Sequence, residues 1–370
     1  MRILLVGDYP EDPRLGSGKV YHKLREEFEL LGHECDVLLA PQLGPRPGNA
    51  RARWLVGPVL AARAVARAFR ERGPYDVVDV ASAEGALLGH GAAVVSRSHG
   101  MEHLNFQRMV DDHRHGLARK PWHRRLWYPA TRLSQVALAA RRADRLIVLN
   151  AADRDFALRR GWKGPEGVDL IPHGVSQRFL DAAPPPDAPR GAGILFCGSW
   201  DAMKGTHYLV RAVERLVAEG RAPRLTVLGP GFPAESVLAA FPPGVRPCVT
   251  VIPRTDEESV MRQYREHDLL VMPSTYEGFG MVVPEAMSQR LPVVATAVGC
   301  APPLLEGGHG ILVPPRDAGA LSAAVGRLLD DAPLRRRLGE AGHQRVRGMS
   351  WTETARRTLT CYGAAIEARR

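Results

Sequence analysis

The chain has 370 residues, 45% hydrophobic and 24% charged, a globular composition too long for one ordinary domain. Its five cysteines, Cys35, Cys197, Cys248, Cys300 and Cys361, form no Cys-x-x-Cys pair, which argues against a disulfide framework and a structural zinc site. The net charge of +10, nearly all from excess arginine, points to anionic partners such as nucleotide, phospholipid or nucleic acid, and compositional bias explains it equally well.

Met1-Arg2 leads directly into Ile3-Leu4-Leu5-Val6, a run too short for the apolar core of a secretory signal. No uninterrupted apolar stretch approaches the ~20 residues that span a bilayer, so a cytoplasmic protein is expected. Residues 2–6, 35–39, 76–80, 94–97 and 145–149 read as strands bounded by turn signals. Between them Leu55, Val59, Ala62, Ala66 and Phe69 recur at helical spacing, which predicts a core-facing stripe, with Arg63, Arg67 and Arg70 on the solvated face. Gly73-Pro74 stops that helix. Strands alternating with helices predict an α/β protein with a doubly wound parallel sheet.

The proline-rich segment 181–189 has little to bury and reads as a linker. The alternation then restarts, with strands expected at 194–197, 225–228, 249–252, 269–272, 293–295 and 311–313. Two successive α/β domains fit this pattern better than one large sheet. Trp351, Ala355, Leu359, Tyr362 and Ile366 share one stripe of a closing helix that must pack somewhere.

The most informative stretch follows the strand ending at Met272. A glycine-bearing loop holds Glu277, Gly278, Phe279 and Gly280, and Pro284 suits the first position of a helix carrying Glu285. Ligands of open α/β sheets bind where strands end and helices begin. Free N–H groups at Gly280, Met281 and Val282, with a positive helix end, suit a diphosphate. Two carboxylates beside such a site suit vicinal hydroxyls, as in a sugar and a ribose. Taken singly, Glu277 reads as a loop-surface carboxylate and Glu285 as a complement to the helix dipole; the Gly-Phe-Gly between them favours the binding site.

Gly16-Ser17-Gly18-Lys19 is neither a P-loop, because Pro13 and Val20 stand at required positions, nor a dinucleotide fingerprint, because Tyr21 replaces a small residue. It reads as a flexible loop whose amides can approach a phosphate or an acceptor, or as a plain tight turn. His99-Gly-Met-Glu102-His103 spells an inverted zinc-protease motif, but Gly100 directly after a strand argues against the helix this needs. His113, His115 and His123 lack metal spacing. The segment 108–145 is strongly basic, with Trp122, Trp127 and Tyr128 beside Arg124 and Arg125. It suits an anionic membrane surface or a lipid-linked acceptor, or is an ordinary surface helix with its rings packed inward.

The spacing of Glu277 and Glu285 matches the E-x7-E motif of retaining glycosyltransferases, and the stretch resembles glycosyltransferase family 4. The likeness takes in Gly16-Ser17-Gly18, Ser98-His99-Gly100, Ile171-Pro172-His173-Gly174-Val175, Lys204-Gly205 and Met272-Pro273-Ser274, over nearly the whole chain. It implies the GT-B fold, two Rossmann-like doubly wound parallel-sheet domains facing across a cleft. Residues 1–182 would form the acceptor-binding domain, rejoined by a C-terminal helix at 352–370; 183–190 would be the hinge and 191–351 the donor-binding domain.

The resemblance further implies a retaining enzyme that moves a sugar from a UDP- or GDP-sugar type donor onto a hydroxyl of a glycan, lipid-linked or small-molecule acceptor, without metal or cofactor. Carried over, Glu285 would hold the ribose, Glu277 the transferred sugar, and Lys204 the phosphate. Gly278, the amides from Phe279 to Met281, and Val282 would line the site. His99 would contact the donor sugar, and Gly16 and Gly18 the phosphate. The family usually has an arginine where Ser199 stands; loss of a charge-assisted bond of ~1.5–3 kcal/mol would weaken diphosphate binding ~10- to 100-fold. Arg254 is the candidate to replace it. The rivals are a sugar-nucleotide epimerase of the same architecture and a zinc hydrolase using His99, Glu102 and His103. No nucleic-acid partner is expected, because no recognised module accompanies the charge.

Overall fold

A computed structural model describes residues 1–12, 16–45, 47–89, 91–117, 123–191 and 193–369, without the side chains of 17, 50, 123 and 124. The chain divides into two compact units, Met1–Gly174 with Trp351–Arg370, and Val175–Ser350.

In the first unit, β1 (Arg2–Val6), β2 (Glu34–Leu38), β3 (Val77–Ala81), β4 (Ala93–Arg97), β5 (Arg145–Val148) and β6 (Val168–Leu170) form one sheet in the order β2-β1-β3-β4-β5-β6. Every pairing is parallel. Each residue of β3 and β4 is buried, which is why their sequences show no apolar–polar alternation. Five strands lie within a residue of the expected places. The sixth, Val168-Asp169-Leu170, is too short for a periodicity to register.

Two charges sit inside this sheet. Arg97 and Asp79 are fully buried, with Arg97 Nε 2.9 Å and Nη2 2.5 Å from Asp79 Oδ2. The Tyr362 hydroxyl donates to the same oxygen at 2.5 Å. Tyr362 belongs to the closing helix Trp351–Glu367, which also lays its ring 5.8 Å from that of Phe28 and donates from Thr352 to Glu27. The C-terminal helix is thus built into the first sheet's core.

The helix Ala50–Glu71 corrects one expectation. Its buried face is Ala61, Ala64, Val65 and Ala68, which pack with Leu4, Val6, Val78 and Val80, whereas Leu55, Val59 and Ala66 are exposed. The helix carries two apolar stripes, and the one with small side chains approaches the sheet.

In the second unit, β7 (Ile194–Cys197), β8 (Leu225–Leu228), β9 (Val249–Ile252), β10 (Leu269–Met272), β11 (Val293–Thr296) and β12 (Ile311–Val313) are all parallel, in the order β12-β11-β10-β7-β8-β9. The chain runs outward from β7 to one edge, then returns to β10 and runs to the other. The neighbours β7 and β10 therefore bound the topological switch point, the place where open α/β sheets bind their ligands.

The proline-rich segment is not the division between the units. The boundary falls after Gly174, and residues 183–190 are fastened to the second unit. Phe179 is buried there, Arg290 donates to the Pro184 carbonyl at 2.6 Å, and Arg190 donates to the carbonyls of Tyr264, His267 and Gln289. Arginine forks on backbone oxygens pin a stretch that has few apolar side chains to bury.

Asp79→Ala would leave the Arg97 guanidinium buried without a counter-charge and should cost about 3–5 kcal/mol. Tyr362→Phe should cost about 1–3 kcal/mol. Urea unfolding measures both, and a loss below about 1 kcal/mol for Asp79→Ala would show the network idle.

Candidate functional site at the second unit's switch point

The loops after β7 and β10 are joined at this switch point. After β7 the chain turns through Asp201, whose carboxylate caps the amides of Met203 and Lys204 at 2.8 and 3.2 Å. After β10, Thr275 returns its amide to the Met203 carbonyl at 2.8 Å. Gly205, at φ +66°, lies so close to Pro273 that an added Cβ would stand 1.9 Å from the Pro273 carbonyl oxygen.

This join places Lys204 Nζ 2.7 Å from Glu277 Oε1, and the buried Ser274 hydroxyl donates to the same oxygen at 2.8 Å. Burial acts to lower the Lys204 pKa, but the charge and hydrogen bond of Glu277 outweigh it, and the net shift is upward. The lysine side chain remains 25% exposed against 7% for Glu277, so of the two it keeps more of its surface open to solvent.

Beyond Glu277 the loop passes Phe279, which is buried, and Gly280 at φ +93°. Gly299, at φ +61°, lets the loop after β11 press against the Phe279 carbonyl, and the Cys300 amide donates to that oxygen at 2.8 Å. The following helix, Val282–Ser288, starts two residues before Pro284, so the proline occupies the third position rather than the first. It still falls in the turn whose amides have no intrahelical partner. Among the described residues, the amides of Gly280, Met281 and Val282 donate no hydrogen bond within the protein. Glu285, buried in the helix's first turn, accepts from the buried Tyr264 hydroxyl at 3.3 Å. Gly278 lies in the same loop.

Ser199 and Arg254 also meet. The Arg254 side chain crosses Gly229 and Gly231 to place Nη2 3.5 Å from Ser199 Oγ. The Lys204 side chain passes the neighbouring Gly198. An exposed guanidinium, an ammonium, three unbonded amides and the carboxylates of Glu277 and Glu285 therefore all lie on segments that follow the carboxyl ends of this sheet's strands.

Gly16, Gly18 and His99 belong to the first unit. The two glycines form the first turn of the helix Gly16–Leu30 and are not a loop, while Pro13 lies outside the described residues. Gly18 fits where a Cβ would be 2.5 Å from the Asp12 carbonyl oxygen, so its role is close approach. His99 follows β4, with Nε2 3.1 Å from the Tyr21 hydroxyl and its ring 5.2 Å from Tyr9 and 6.0 Å from His173. Burial, with the nearby Arg97 charge, pushes its pKa down to about 3.

Sequence reasoning missed Ser274, Tyr264, Asp201 and Tyr21 as supports of these groups. Tyr264 and Tyr21 act through tertiary contact, whereas Ser274 and Asp201 act on groups two or three residues away, and Ser274 lies inside a motif already named.

The zinc reading fails on geometry. The helix Glu102–Arg114 starts after His99, and Glu102 is taken by Arg132 and by the Tyr128 hydroxyl at 2.9 Å. His103 packs on Trp162 at 4.8 Å. No group of three His, Cys, Asp or Glu among the described residues could hold a metal ion. In the basic segment, Trp127 and Tyr128 are half-buried against Trp54, at 5.6 and 5.0 Å, and not turned outward as membrane anchors; Trp122 lies outside the described residues. No helix among the described residues is long and apolar enough to cross a membrane.

Residues 16–178 match the family model Glycosyltransferase Family 4, and residues 191–331 match Glycosyl transferases group 1. MMP alpha-(1->4)-mannosyltransferase of Mycolicibacterium hassiacum is 30% identical over 253 residues, 67% of this chain and 60% of that protein. A D-inositol 3-phosphate glycosyltransferase of Nocardia farcinica is 32% identical over 62% of this chain and 52% of that protein. The chain thus spans between half and three-fifths of the length of these relatives. Sucrose-phosphate synthase from Thermosynechococcus elongatus, 22% identical, shares the fold with a TM-score of 0.80 over 98% of each chain. Anabaena Alr3699/HepE in complex with UDP-glucose, 16% identical, gives a TM-score of 0.66 over 97% of this chain and 99% of that one.

Gly205→Ala should destabilise the protein by more than about 1 kcal/mol, because the Cβ meets backbone and the conformation is left-handed. Gly244→Ala, with nothing within 4 Å of the added Cβ, should change little. Equal urea midpoints for the two variants would contradict the joined-loop account.

Proposed function

Because the chain belongs to glycosyltransferase family 4, we propose that it moves a sugar from a nucleoside-diphosphate donor onto an acceptor hydroxyl, with retention at the anomeric carbon. The observation that carries this reading is the Lys204–Glu277 pair beside three unbonded amides at the switch point. The UDP-glucose held by the Anabaena neighbour supports a donor of this class. The five cysteines are all free thiols, which supports a cytoplasmic setting.

In this reading the diphosphate lies against Lys204 and the amides of Gly280, Met281 and Val282. Arg254, held over Ser199, supplies the charge that the family's arginine would otherwise give. Glu285, oriented by Tyr264, accepts from the ribose hydroxyls, and Glu277, oriented by Ser274, accepts from the transferred sugar. His99, in the first unit, presents a neutral imidazole. The bond from the anomeric carbon to the diphosphate oxygen breaks. The acceptor oxygen forms its bond on the same face, and its proton passes to the departing phosphate oxygen. The side chains position the reactants and stabilise the leaving charge, and no side chain is required as a nucleophile.

A thermal-shift panel of UDP, GDP, ADP and their common sugars tests the donor. Ligand at 100 times its dissociation constant adds about 2.7 kcal/mol, a shift of several degrees at about 2–4 °C per kcal/mol. Glu285→Ala should abolish the shift without unfolding the protein. A flat panel would sink the donor reading, and donor turnover without an acceptor would indicate an epimerase.

The pH dependence follows from the two shifts. A lowered imidazole pKa keeps His99 neutral as pH falls through the ordinary histidine range, and a raised lysine pKa keeps Lys204 charged as pH rises. Neither group should impose an inflection on kcat/KM between about pH 6 and about pH 9. A step near pH 6.5 that disappears in His99→Ala would contradict the neutral imidazole.

A further inference from the structure

We propose that the outward face of the first unit formed by the helix Ala50–Glu71, the turn Ser82–Leu87 and the helices His123–Tyr128 and Ser134–Arg142 docks on an anionic lipid bilayer. Eight large apolar side chains are exposed among the described residues, and five of them lie on these elements: Leu55, Val59, Leu87, Leu126 and Leu138. Leu126 is 70% exposed and Leu55 50%. The elements are neighbours, since the turn Ser82–Leu87 packs against both longer helices, and His123–Tyr128 runs into Ser134–Arg142 through the π-turn Pro129–Leu133. Leu55 and Val59 form the second stripe of the helix Ala50–Glu71, opposite the alanines that face the sheet. A helix with a spare apolar stripe has a surface left to cover.

The charge on this face selects the occupant. The helix Ala50–Glu71 exposes Arg51, Arg53, Arg63, Arg67 and Arg70, and its only acid is Glu71 at the far end. Residues 123–142 contain no acid at all and expose Arg125, Arg141 and Arg142. The acid of the turn, Glu84, is buried and paired with Arg132 at 2.8 Å. A second copy meeting this face symmetrically would set arginine against arginine. Anionic headgroups meet the guanidinium groups while the leucines enter the acyl boundary. The rings of Trp54 and Trp127 lie against each other and brace the helices from within.

Sedimentation of the full chain with vesicles tests this without any sugar transfer, so it can fail while the catalytic reading stands. Vesicles of equal parts phosphatidylcholine and phosphatidylglycerol should carry the protein down, and phosphatidylcholine alone should not. The double change Leu55→Gln with Leu126→Gln should lower partitioning about tenfold or more, with the thermal midpoint kept. Phe232→Gln, at an exposed phenylalanine of the other unit, should bind like the parent. The proposal is overturned by no binding to the mixed vesicles, by binding that ignores the leucine changes, by equal loss in Phe232→Gln, or by a lipid-free dimer that the leucine changes dissolve.

Discussion

The site depends on one ion pair, Lys204 to Glu277, made between two loops that neighbouring strands bring to the same edge. Its partners are 73 residues apart in the chain. Removing the lysine would strand a buried carboxylate, and removing the glutamate would leave an ammonium without its counter-charge. Ser274, the Thr275–Met203 bond and the close approach at Gly205 all serve to hold these two groups at bonding distance. The lysine side chain keeps more of its surface than the carboxylate does, and in the proposed reading it is the partner that meets the diphosphate. The counter-charge stays in place behind the ammonium.

The first unit handles buried charge differently. Arg97 and Asp79 are sealed from solvent and share their contact with Tyr362, so this network ties the closing helix to the sheet and offers nothing to a ligand. Next to it, His99 is surrounded by Tyr21, Tyr9 and His173, and the arginine's charge helps keep it neutral. Arg97 thus has a structural effect through contact and an electrostatic one at a distance.

Much of the fold was legible because both sheets are parallel and covered on both faces. Buried strands write themselves as short continuous apolar runs, and eleven of the twelve appear within about a residue of where those runs lie. The Glu277–Glu285 spacing was legible for another reason: loop, glycine and helix start lie within one local stretch. What misled was apolar content on two faces of one helix. Leu55 and Val59 look like core by spacing, yet the alanines won the inner face because small side chains let the helix come closer to the sheet. The prolines at 184–186 look like a hinge by composition, yet carbonyls fixed by Arg190 and Arg290 hold that stretch to the second unit.

The sequence by itself determined the class of the chain: two alternating α/β halves, a glycine-bearing loop between two glutamates, and a lysine following a strand. These are local facts, carried by periodicity and spacing. Only the tertiary structure decided which strands adjoin. That adjacency sets where the switch point falls, puts Lys204 on Glu277, Arg254 on Ser199 and Tyr264 on Glu285, and leaves a leucine and arginine face uncovered. Such partners are chosen by sheet order and by which faces pack closest, and neither is written in any short stretch of residues.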